Sequence, residues 1–241
     1  MSSITDVYSP RTTFRCTRLR GAKVGSSVCQ FCAVGCSQLG FFKDGKLIDV
    51  EGDPRSAVNE GRLCPKGSST YALNENPYRK VKPMYRAPGS DHWEEVSLDW
   101  MLDTVAKRIW DTRNKGFVEK DPTTGITVNN CANIGFIGGS ANDNEECYLF
   151  RKLFTGGLGI LPVENSARYC HSTTVAALSP TFGFGACTNP PRDLLNSDCI
   201  LIMGSNMAEA HPCAFYWPMQ AKKKGAVTIH VDPRYTRTSA A

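Results

Sequence analysis

The chain has 241 residues, a formal net charge of +5 and 41% hydrophobic residues, which suits one large or two small globular domains with a sizeable core. No run of Lys and Arg is interleaved with aromatic residues, so we predict no nucleic-acid partner. No apolar run approaches the roughly 18 residues that a membrane-spanning helix needs, so we predict no direct membrane span.

The 11 cysteines are too dilute for a small disulfide scaffold and indicate thiols in a reducing compartment. Those without a pairing pattern are interpreted as small hydrophobic residues. They are Cys16, Cys131, Cys147, Cys187, Cys199 and Cys213.

Residues 1–25 form a basic segment that we expect to be an extended arm. The segment has no twin-arginine pair and no apolar stretch behind it. We therefore expect a cytoplasmic protein. The alternative is a periplasmic protein whose leader is missing from this sequence or is carried by a partner.

Four cysteines early in the chain have the spacing of ligands to one inorganic cluster. Cys29, Cys32 and Cys36 lie on one short Gly-containing stretch, and Cys64, followed by proline, comes from a distant segment. A compact run of cysteines, with proline after one ligand, is typical of iron–sulfur proteins. A zinc ribbon usually has two Cys-x2-Cys pairs, and the second pair is missing here. The spacing predicts a [4Fe–4S] cluster, with zinc binding and unconnected cysteines as the alternatives.

The elements further along the chain predict a mixed α/β protein, with helices recognised from apolar periodicity and caps and strands from short apolar runs. In order, they are a hairpin at 41–50 around Asp44-Gly45, a linker at 83–96, a helix capped by Ser97 and ended by Gly116, a polar loop at 117–130, a strand at 134–139, a helix at 144–154, a strand at 161–163 and a loop-rich stretch at 179–198.

The last part of the chain predicts a strand–helix–strand unit. Residues 199–203 and 226–231 are apolar strands, and 212–224 is the helix between them. Such a unit has parallel strands and a right-handed crossover. Ligands bind at the carboxyl ends of such strands, where 204–206 and 232–234 would meet. Since the glycine turn is not G-x-G-x-x-G, both a nucleotide site and a ligand-free crossover stay open.

Adjacent Cys170 and His171 follow the strand predicted near 161–163. A thiolate can bind a soft metal, and a neighbouring imidazole can move protons near neutral pH. Taken alone, such a pair is more often a buried cysteine beside a structural histidine, so both interpretations stay open at this point.

Together, these motifs resemble the N-terminal part of the catalytic subunit of molybdenum- or tungsten-dependent formate dehydrogenases. The resemblance is to the formate dehydrogenase-N/O type of the dimethyl sulfoxide reductase superfamily, and it covers about residues 28–241. The segments that carry it are the four cysteines with 64–67, then 85–90, 167–171, 179–183, 208–212 and 231–234.

The resemblance implies an α/β fold in which a small N-terminal [4Fe–4S] domain precedes part of a parallel-sheet, Rossmann-like molybdopterin-binding domain, incomplete within this chain. On this basis the chain divides into a basic arm at 1–25, a cluster domain at 26–82, a linker at 83–96 and a partial α/β molybdopterin guanine dinucleotide-binding domain at 97–241.

The resemblance also implies bis(molybdopterin guanine dinucleotide) with Mo or W bound by Cys170, and His171 as proton relay. Many relatives have selenocysteine at position 170, so cysteine there implies a differently tuned site or a selenocysteine written in the standard alphabet. Ser172 departs from the glycine that is frequent after this histidine. Lys66 would pass electrons between the pterin and the cluster. The residues expected to contact one guanine dinucleotide arm are Gly204, Asn206, His211, Asp232 and Arg234.

The implied reaction is oxidation of formate to CO2, or its reverse. Family catalytic subunits continue for several hundred residues beyond the position of Ala241. We therefore expect a second polypeptide that completes the subunit, with a truncated sequence as the alternative. An iron–sulfur electron-transfer subunit is also expected, with a membrane cytochrome b subunit as a further candidate. The competing functions are another molybdopterin oxidoreductase, such as a nitrate reductase, and a non-catalytic iron–sulfur electron-transfer module.

Overall fold

The computed structural model of the chain describes residues 2–3, 9, 18–140 and 142–241. Most of the predicted basic arm, including Cys16, lies outside these residues. So do three side chains of a later helix, namely those of Ala167, Cys170 and His171.

The chain divides into two compact units. One consists of Met1–Arg79 together with Cys187–Ala241, and the other of Lys80–Ala186. In the ranges described, no helix is both long enough and apolar enough to cross a membrane. The domain boundaries expected at residues 25, 82 and 96 stay predictions.

The first unit begins with a four-stranded antiparallel sheet in the order β1-β2-β3-β4. Its elements and the two short helices that follow are β1 (Ser2–Ser3), β2 (Lys23–Val28), β3 (Ser37–Lys43), β4 (Lys46–Gly52), α1 (Pro65–Ser68) and α2 (Thr70–Asn74). The predicted hairpin is confirmed, because Asp44 and Gly45 turn between β3 and β4 with φ of 49° and 78°. Val24, Leu39 and Phe41 form the centre of its core.

The second unit contains two antiparallel hairpins and one parallel strand pair. Its elements are β5 (Met84–Tyr85), β6 (Glu94–Glu95), α3 (Leu98–Gly116), β7 (Phe117–Lys120), β8 (Thr127–Cys131), β9 (Phe136–Gly138), α4 (Asn144–Arg151), a π-helical turn (Lys152–Gly157), β10 (Val163–Asn165) and α5 (Ser166–Phe182). Strands β9 and β10 are parallel, and Phe136 stacks on Phe154 with ring centroids 4.5 Å apart. Helix α3 begins as predicted, since the Ser97 hydroxyl accepts the Trp100 amide at 3.1 Å.

The prediction of a polar loop at 117–130 is wrong. The stretch contains the hairpin of β7 and β8, whose turn is stabilised by the Asp121 carboxylate accepting the amides of Thr123 and Thr124. Its strands are short and mostly polar, so they lack the alternation that would have marked them. The predicted linker likewise contains a small hairpin, β5 with β6.

The strand–helix–strand prediction near the end of the chain is confirmed. The elements there are a 3-10 helix (Pro191–Asn196), β11 (Cys199–Met203), α6 (Met207–Ala210), α7 (Pro212–Lys223), β12 (Val227–Val231) and α8 (Arg237–Ala240). Strands β11 and β12 are parallel. Ile200 and Ile202 pack against Phe215 and Ala221 of α7, so the apolar faces of the strand and helix form one core. The fold is thus mixed α/β. Within the described residues its parallel strands occur as two separate pairs, which does not establish a Rossmann-like sheet.

Helix α7 also packs on the loop that precedes Cys64. The Trp217 indole donates to the Val58 carbonyl at 3.1 Å, and the Arg62 guanidinium lies 3.7 Å from the Tyr216 ring centroid. These contacts join Cys187–Ala241 to the first part of the chain within the same unit.

Asn59 connects that loop to the start of β3. Its side chain is 1% exposed. Its Oδ1 accepts the Ser37 amide at 3.0 Å, and its Nδ2 donates to the carbonyls of Ser37 at 3.1 Å and Arg62 at 2.8 Å. One buried amide therefore fixes the residue after Cys36 and the segment before Cys64 relative to each other.

Replacing Asn59 with Ala should destabilise this part of the fold by about 1–3 kcal/mol, because buried backbone groups would lose their partners. Native-state hydrogen exchange at the Cys29 amide, which Asn59 does not itself contact, measures the effect. Asn76 is the matched control, since its Oδ1 accepts the exposed Tyr78 amide at 2.9 Å. Asn76→Ala should stay within about 0.5 kcal/mol of the unchanged protein. Equal exchange in the two variants would contradict the role given to Asn59.

Candidate cluster site and cofactor residues

Three of the four predicted cluster ligands lie on one loop that closes the end of the β2–β3 ladder. The ladder ends at the pair Val28 and Ser37, and the Cys29 amide donates to the Cys36 carbonyl at 2.8 Å. Gly35 has φ of 67°, a left-handed conformation that glycine adopts without steric cost. The loop can therefore turn back within a few residues.

Cys64 reaches the same place from the other side. It is the residue before α1, and Gln38 of β3 fixes that helix by donating to the Gly67 carbonyl at 2.8 Å. The returning loop packs tightly on β4, since a Cβ added at Gly52 would lie 2.3 Å from the Gly61 carbonyl oxygen. Glycine is required at position 52 for this close approach.

The four cysteines line one cavity, part of which is open to solvent. Its lining residues are Cys29, Phe31, Cys32, Val34, Cys36, Leu63, Cys64, Gly67, His211, Pro212 and Cys213. No acidic residue is among them. In the described part of the chain, no three His, Cys, Asp or Glu side chains form a group that could hold a metal ion together. Four cysteines that line one cavity with an apolar wall fit a multi-atom iron–sulfur cluster as the group to be held.

Burial, and after it the neighbouring Cys213 thiol, raises the pKa of Cys36 to about 12. Thiolates packed together in apolar surroundings repel one another and are poorly solvated. Bound iron supplies the positive charge that makes coordinating thiols ionise. The donor set therefore fits a cationic metal cluster.

Sequence analysis missed the place of Cys213. It was interpreted as a small hydrophobic residue, and it is indeed 7% exposed. Its buried neighbours are Cys29 and Cys36, so the apolar cluster it belongs to is the wall of the cluster cavity. Nothing in the sequence separates it from the other cysteines without a pattern, because its contact with the loop is entirely tertiary.

Lys66 lies in α1, two residues after Cys64, and its ammonium group donates to two backbone carbonyls of α6. The distances are 3.0 Å to Glu209 and 3.2 Å to Ala210. The Lys66 side chain therefore extends from α1 to the residues just before α7. Its predicted part in electron transfer stays a prediction.

Four of the five residues predicted to contact a guanine dinucleotide lie after the carboxyl ends of β11 and β12. Gly204 has φ of 63°, and Asp232 Oδ1 accepts the Arg234 amide at 2.8 Å. Asn206 Oδ1 accepts the Thr238 hydroxyl at 3.1 Å. Asp232 and Arg234 line an open pocket.

The fifth, His211, lines the cluster cavity. His230, which sequence analysis did not single out, lies in the pocket with Asp232. Its Nδ1 is 2.8 Å from the Ser239 hydroxyl, and its Nε2 is 4.0 Å from Asp232 Oδ2. The signal was available, because residues two apart on a strand share a face.

Cys170 and His171 belong to α5, which directly follows β10. Their side chains lie outside the described residues, so their predicted roles stay predictions. Around them, Arg168 pairs with Glu164 at 3.0 Å, and Asn165 donates to the Gly139 carbonyl at 2.7 Å. The last contact joins the carboxyl ends of β9 and β10, immediately before the helix with the Cys-His pair.

Comparison with known proteins identifies two family domains. Residues 22–76 match the molybdopterin oxidoreductase Fe4S4 domain, and residues 79–241 match the molybdopterin oxidoreductase domain. The two matches confirm the predicted [4Fe–4S] cluster and molybdopterin cofactor. They do not test the individual ligands.

Similar proteins occur in bacteria and archaea. The chain is 53% identical over 220 residues to the formate dehydrogenase subunit alpha of Megalodesulfovibrio gigas, covering 90% of this chain and 22% of that protein. It is 42% identical over 222 residues to the formate dehydrogenase-O major subunit of Escherichia coli K12, covering 89% and 22%. It is 32% identical over 217 residues to the F420-dependent formate dehydrogenase subunit alpha of Methanocaldococcus jannaschii, covering 90% and 29%.

The chain thus spans less than a third of the length of these relatives, while the molybdopterin oxidoreductase domain alone takes up more than half of the chain. The cavity lined by four cysteines lies within and beside the matched Fe4S4 segment. On these grounds the chain belongs to the molybdopterin oxidoreductase family.

Proposed function

We propose that this chain is the part of a formate dehydrogenase catalytic subunit that holds the [4Fe–4S] cluster and part of the molybdopterin cofactor. The reaction is the two-electron oxidation of formate to CO2, or its reverse. The observation that carries the proposal is the convergence of Cys29, Cys32, Cys36 and Cys64 on one cavity, in a chain whose relatives are formate dehydrogenase subunits. Neither another molybdopterin oxidoreductase nor an electron-transfer module without pterin is favoured by those relatives.

In this proposal the four cysteines bind the cluster, and apolar residues form the wall around them. A bound Mo or W centre would supply the two-electron redox chemistry that formate oxidation needs. Cys170 would hold the metal of a bis(molybdopterin guanine dinucleotide) cofactor, and His171 would hold and release a proton beside it. Lys66 brings a positive charge close to the cluster, which favours an added electron there.

Each of the two parallel strand pairs is proposed to be part of a Rossmann-like parallel sheet. Each pair has a helix between its strands in sequence, α4 for β9 and β10 and α7 for β11 and β12. Leu201 and Met203 of β11 are 58% and 67% exposed, and parallel sheet is normally covered on both faces. Residues Gly204, Asn206, Asp232 and Arg234 would contact a guanine dinucleotide at the strand ends. His211 lies at the cluster cavity, and its nucleotide contact stays a prediction.

Partner subunits are part of the proposal, because the relatives are named as alpha or major subunits. An iron–sulfur subunit that accepts the electrons fits a cluster held near the protein surface, since its cavity is partly open. The second polypeptide, the membrane cytochrome b subunit and the cytoplasmic location stay predictions.

Replacing Cys64 with Ala should remove bound iron and acid-labile sulfide, because the cluster would lose the ligand that closes the cavity. Iron and sulfide per chain, with the visible absorption of the purified protein, measure this. Cys199→Ala is the control, since Cys199 is an exposed residue of β11 and does not line the cavity. Full iron and sulfide in Cys64→Ala would refute the ligand set.

Formate-dependent reduction of a viologen dye, measured together with Mo, W and pterin content, tests the reaction. Cys170→Ala should abolish the activity, because the metal would lose its protein ligand, while the exposed Cys187→Ala should keep it. Activity with nitrate and none with formate would favour another member of the family. Iron without Mo, W or pterin would reduce the chain to an electron-transfer module.

Lys66→Met should shift the midpoint potential of the cluster to more negative values, because a positive charge near an added electron is lost. Lys66→Arg should keep the potential. Lys43→Met is the control, since the Lys43 ammonium also donates to a backbone carbonyl, that of Arg18 at 2.9 Å, and Lys43 lies at the end of β3 that is far from Cys36. A lower turnover with an unchanged potential would mean that Lys66 serves only to join α1 to α6.

A further inference from the structure

The four-residue helix α6 is bonded at both of its ends by side chains from other parts of the same unit. At its start, the Thr238 hydroxyl of α8 accepts the Ala208 amide at 3.0 Å. At its end, the Lys66 ammonium of α1 donates to the carbonyls of Glu209 and Ala210 at 3.0 and 3.2 Å. Forming a single helical turn is unfavourable by itself. The position of α6 therefore depends on its contacts with the rest of the unit.

Thr238 supplies a cap that α6 does not have from its own sequence. The first amides of a helix lack partners within it, and the side chain of the residue before the helix usually accepts one of them. Asn206 occupies that position and makes no such bond, because its side chain is bonded to the Thr238 hydroxyl through Oδ1, at 3.1 Å, and to Glu209 through Nδ2. Thr238 is 5% exposed, and its hydroxyl both accepts from Ala208 and donates to Asn206. One buried hydroxyl thus fixes the start of α6.

The other end of α6 holds Lys66. The last carbonyls of a helix also lack partners within it, and a lysine side chain can satisfy them. Lys66 comes two residues after the predicted ligand Cys64, so the position of α6 decides where this ammonium group lies relative to the cluster. The energy of a charge near the cluster changes with its distance and with its exposure to water. A loosened α6 would therefore weaken the effect of Lys66 on the cluster.

We propose that Thr238 is a positioning residue for Lys66: by capping α6 from α8, it fixes the two carbonyls that hold the ammonium group beside the cluster. Thr238 does not line the cluster cavity, so it acts through α6. Thr238 and Ser239 line the open pocket after β12, so α6 connects that pocket to α1. This inference rests on the proposed role of Lys66 beside a cluster held by Cys64.

Hydrogen exchange of the peptide 207–211, measured by mass spectrometry, tests the contact with α6. Thr238→Val removes the hydroxyl and keeps a branched side chain of similar size. Met207 and Ala208 still pack on the core between β11 and α7, so the variant should fold. Its 207–211 peptide should exchange about tenfold faster, because the buried Ala208 amide loses its acceptor and α6 its cap. Thr238→Ser keeps the hydroxyl and should keep the exchange rate.

An EPR-monitored redox titration of the cluster-loaded protein tests the effect on Lys66. In Thr238→Val the ratio of reduced to oxidised cluster at a fixed potential should fall by up to about tenfold, which is about 59 mV for a one-electron couple. Lys66→Met removes the charge, so adding Thr238→Val to Lys66→Met should cause no further shift. Thr238→Ser should keep the potential of the unchanged protein.

Thr188→Val is the matched control for both measurements. The Thr188 hydroxyl also donates to an asparagine Oδ1, that of Asn189 at 2.8 Å, but it is exposed and has no contact with α6 among its printed partners. Thr188→Val should therefore leave both the exchange of 207–211 and the cluster potential unchanged.

Several results would overturn the inference. Unchanged exchange of 207–211 in Thr238→Val would mean that Thr238 does not hold α6, and a 207–211 peptide without protection in the unchanged protein would show the same without any variant. An unchanged potential in Thr238→Val would mean that Lys66 does not depend on α6. Because Thr238 also lines the pocket after β12, altered cofactor binding could shift the potential as well, but that shift would persist in the Lys66→Met background.

Iron and sulfide are measured on every sample, so the two proposals fail differently. An unchanged protein without a cluster would refute the proposed cluster ligands, and a cluster whose potential ignores Lys66→Met would refute the proposed role of Lys66. A normal cluster that responds to Lys66→Met and not to Thr238→Val would refute this inference alone.

Discussion

Four thiols that face one apolar cavity are the constraint on which the first unit of this protein depends. As thiolates they would repel one another and lose hydration, so they need both a cationic cluster and a scaffold that holds them together before it binds. The scaffold is made of hydrogen bonds that do not involve the sulfurs. The β2–β3 ladder brings Cys29 beside Cys36, Asn59 ties the loop before Cys64 to Ser37, and Gln38 fixes α1.

Helix α7 gives the cavity its remaining wall. It brings Pro212 and Cys213 to the cavity, while Trp217 donates a hydrogen bond to Val58 in the loop that precedes Cys64. On its other face, the same helix packs on β11 through Phe215. One helix thus links the cluster to the parallel strands that we propose to carry the nucleotide, and Lys66 makes a second link to the residues before it. The two family domains follow each other in the sequence, yet their residues share one cavity.

The sequence was most informative where a local rule has a single structural solution. Asp44-Gly45 specified a tight hairpin, Ser97 a helix start, and an apolar strand, a helix and a second strand specified a parallel pair. It was least informative for short polar strands such as β7 and β8, whose pairing depends on neighbours and on the Asp121 turn. Apolar periodicity carries no information where a strand of a few residues is mostly polar.

By itself, the sequence determined the pattern of the cluster site, which is four cysteines at cluster spacing with a proline after the last, and the roles of Lys66 and of the Cys-His pair stay predictions. Motif spacing can be read from the chain without knowledge of how the chain folds. Only the tertiary structure decided what surrounds that site. Asn59, Trp217 and Cys213 act through hydrogen bonds to residues that are 22, 159 and 151 positions away in the sequence, and such contacts leave no local pattern to detect. The position of His211 at the cluster cavity has the same cause. The packing of α7 decides where His211 lies, and the sequence motif around His211 does not reveal it.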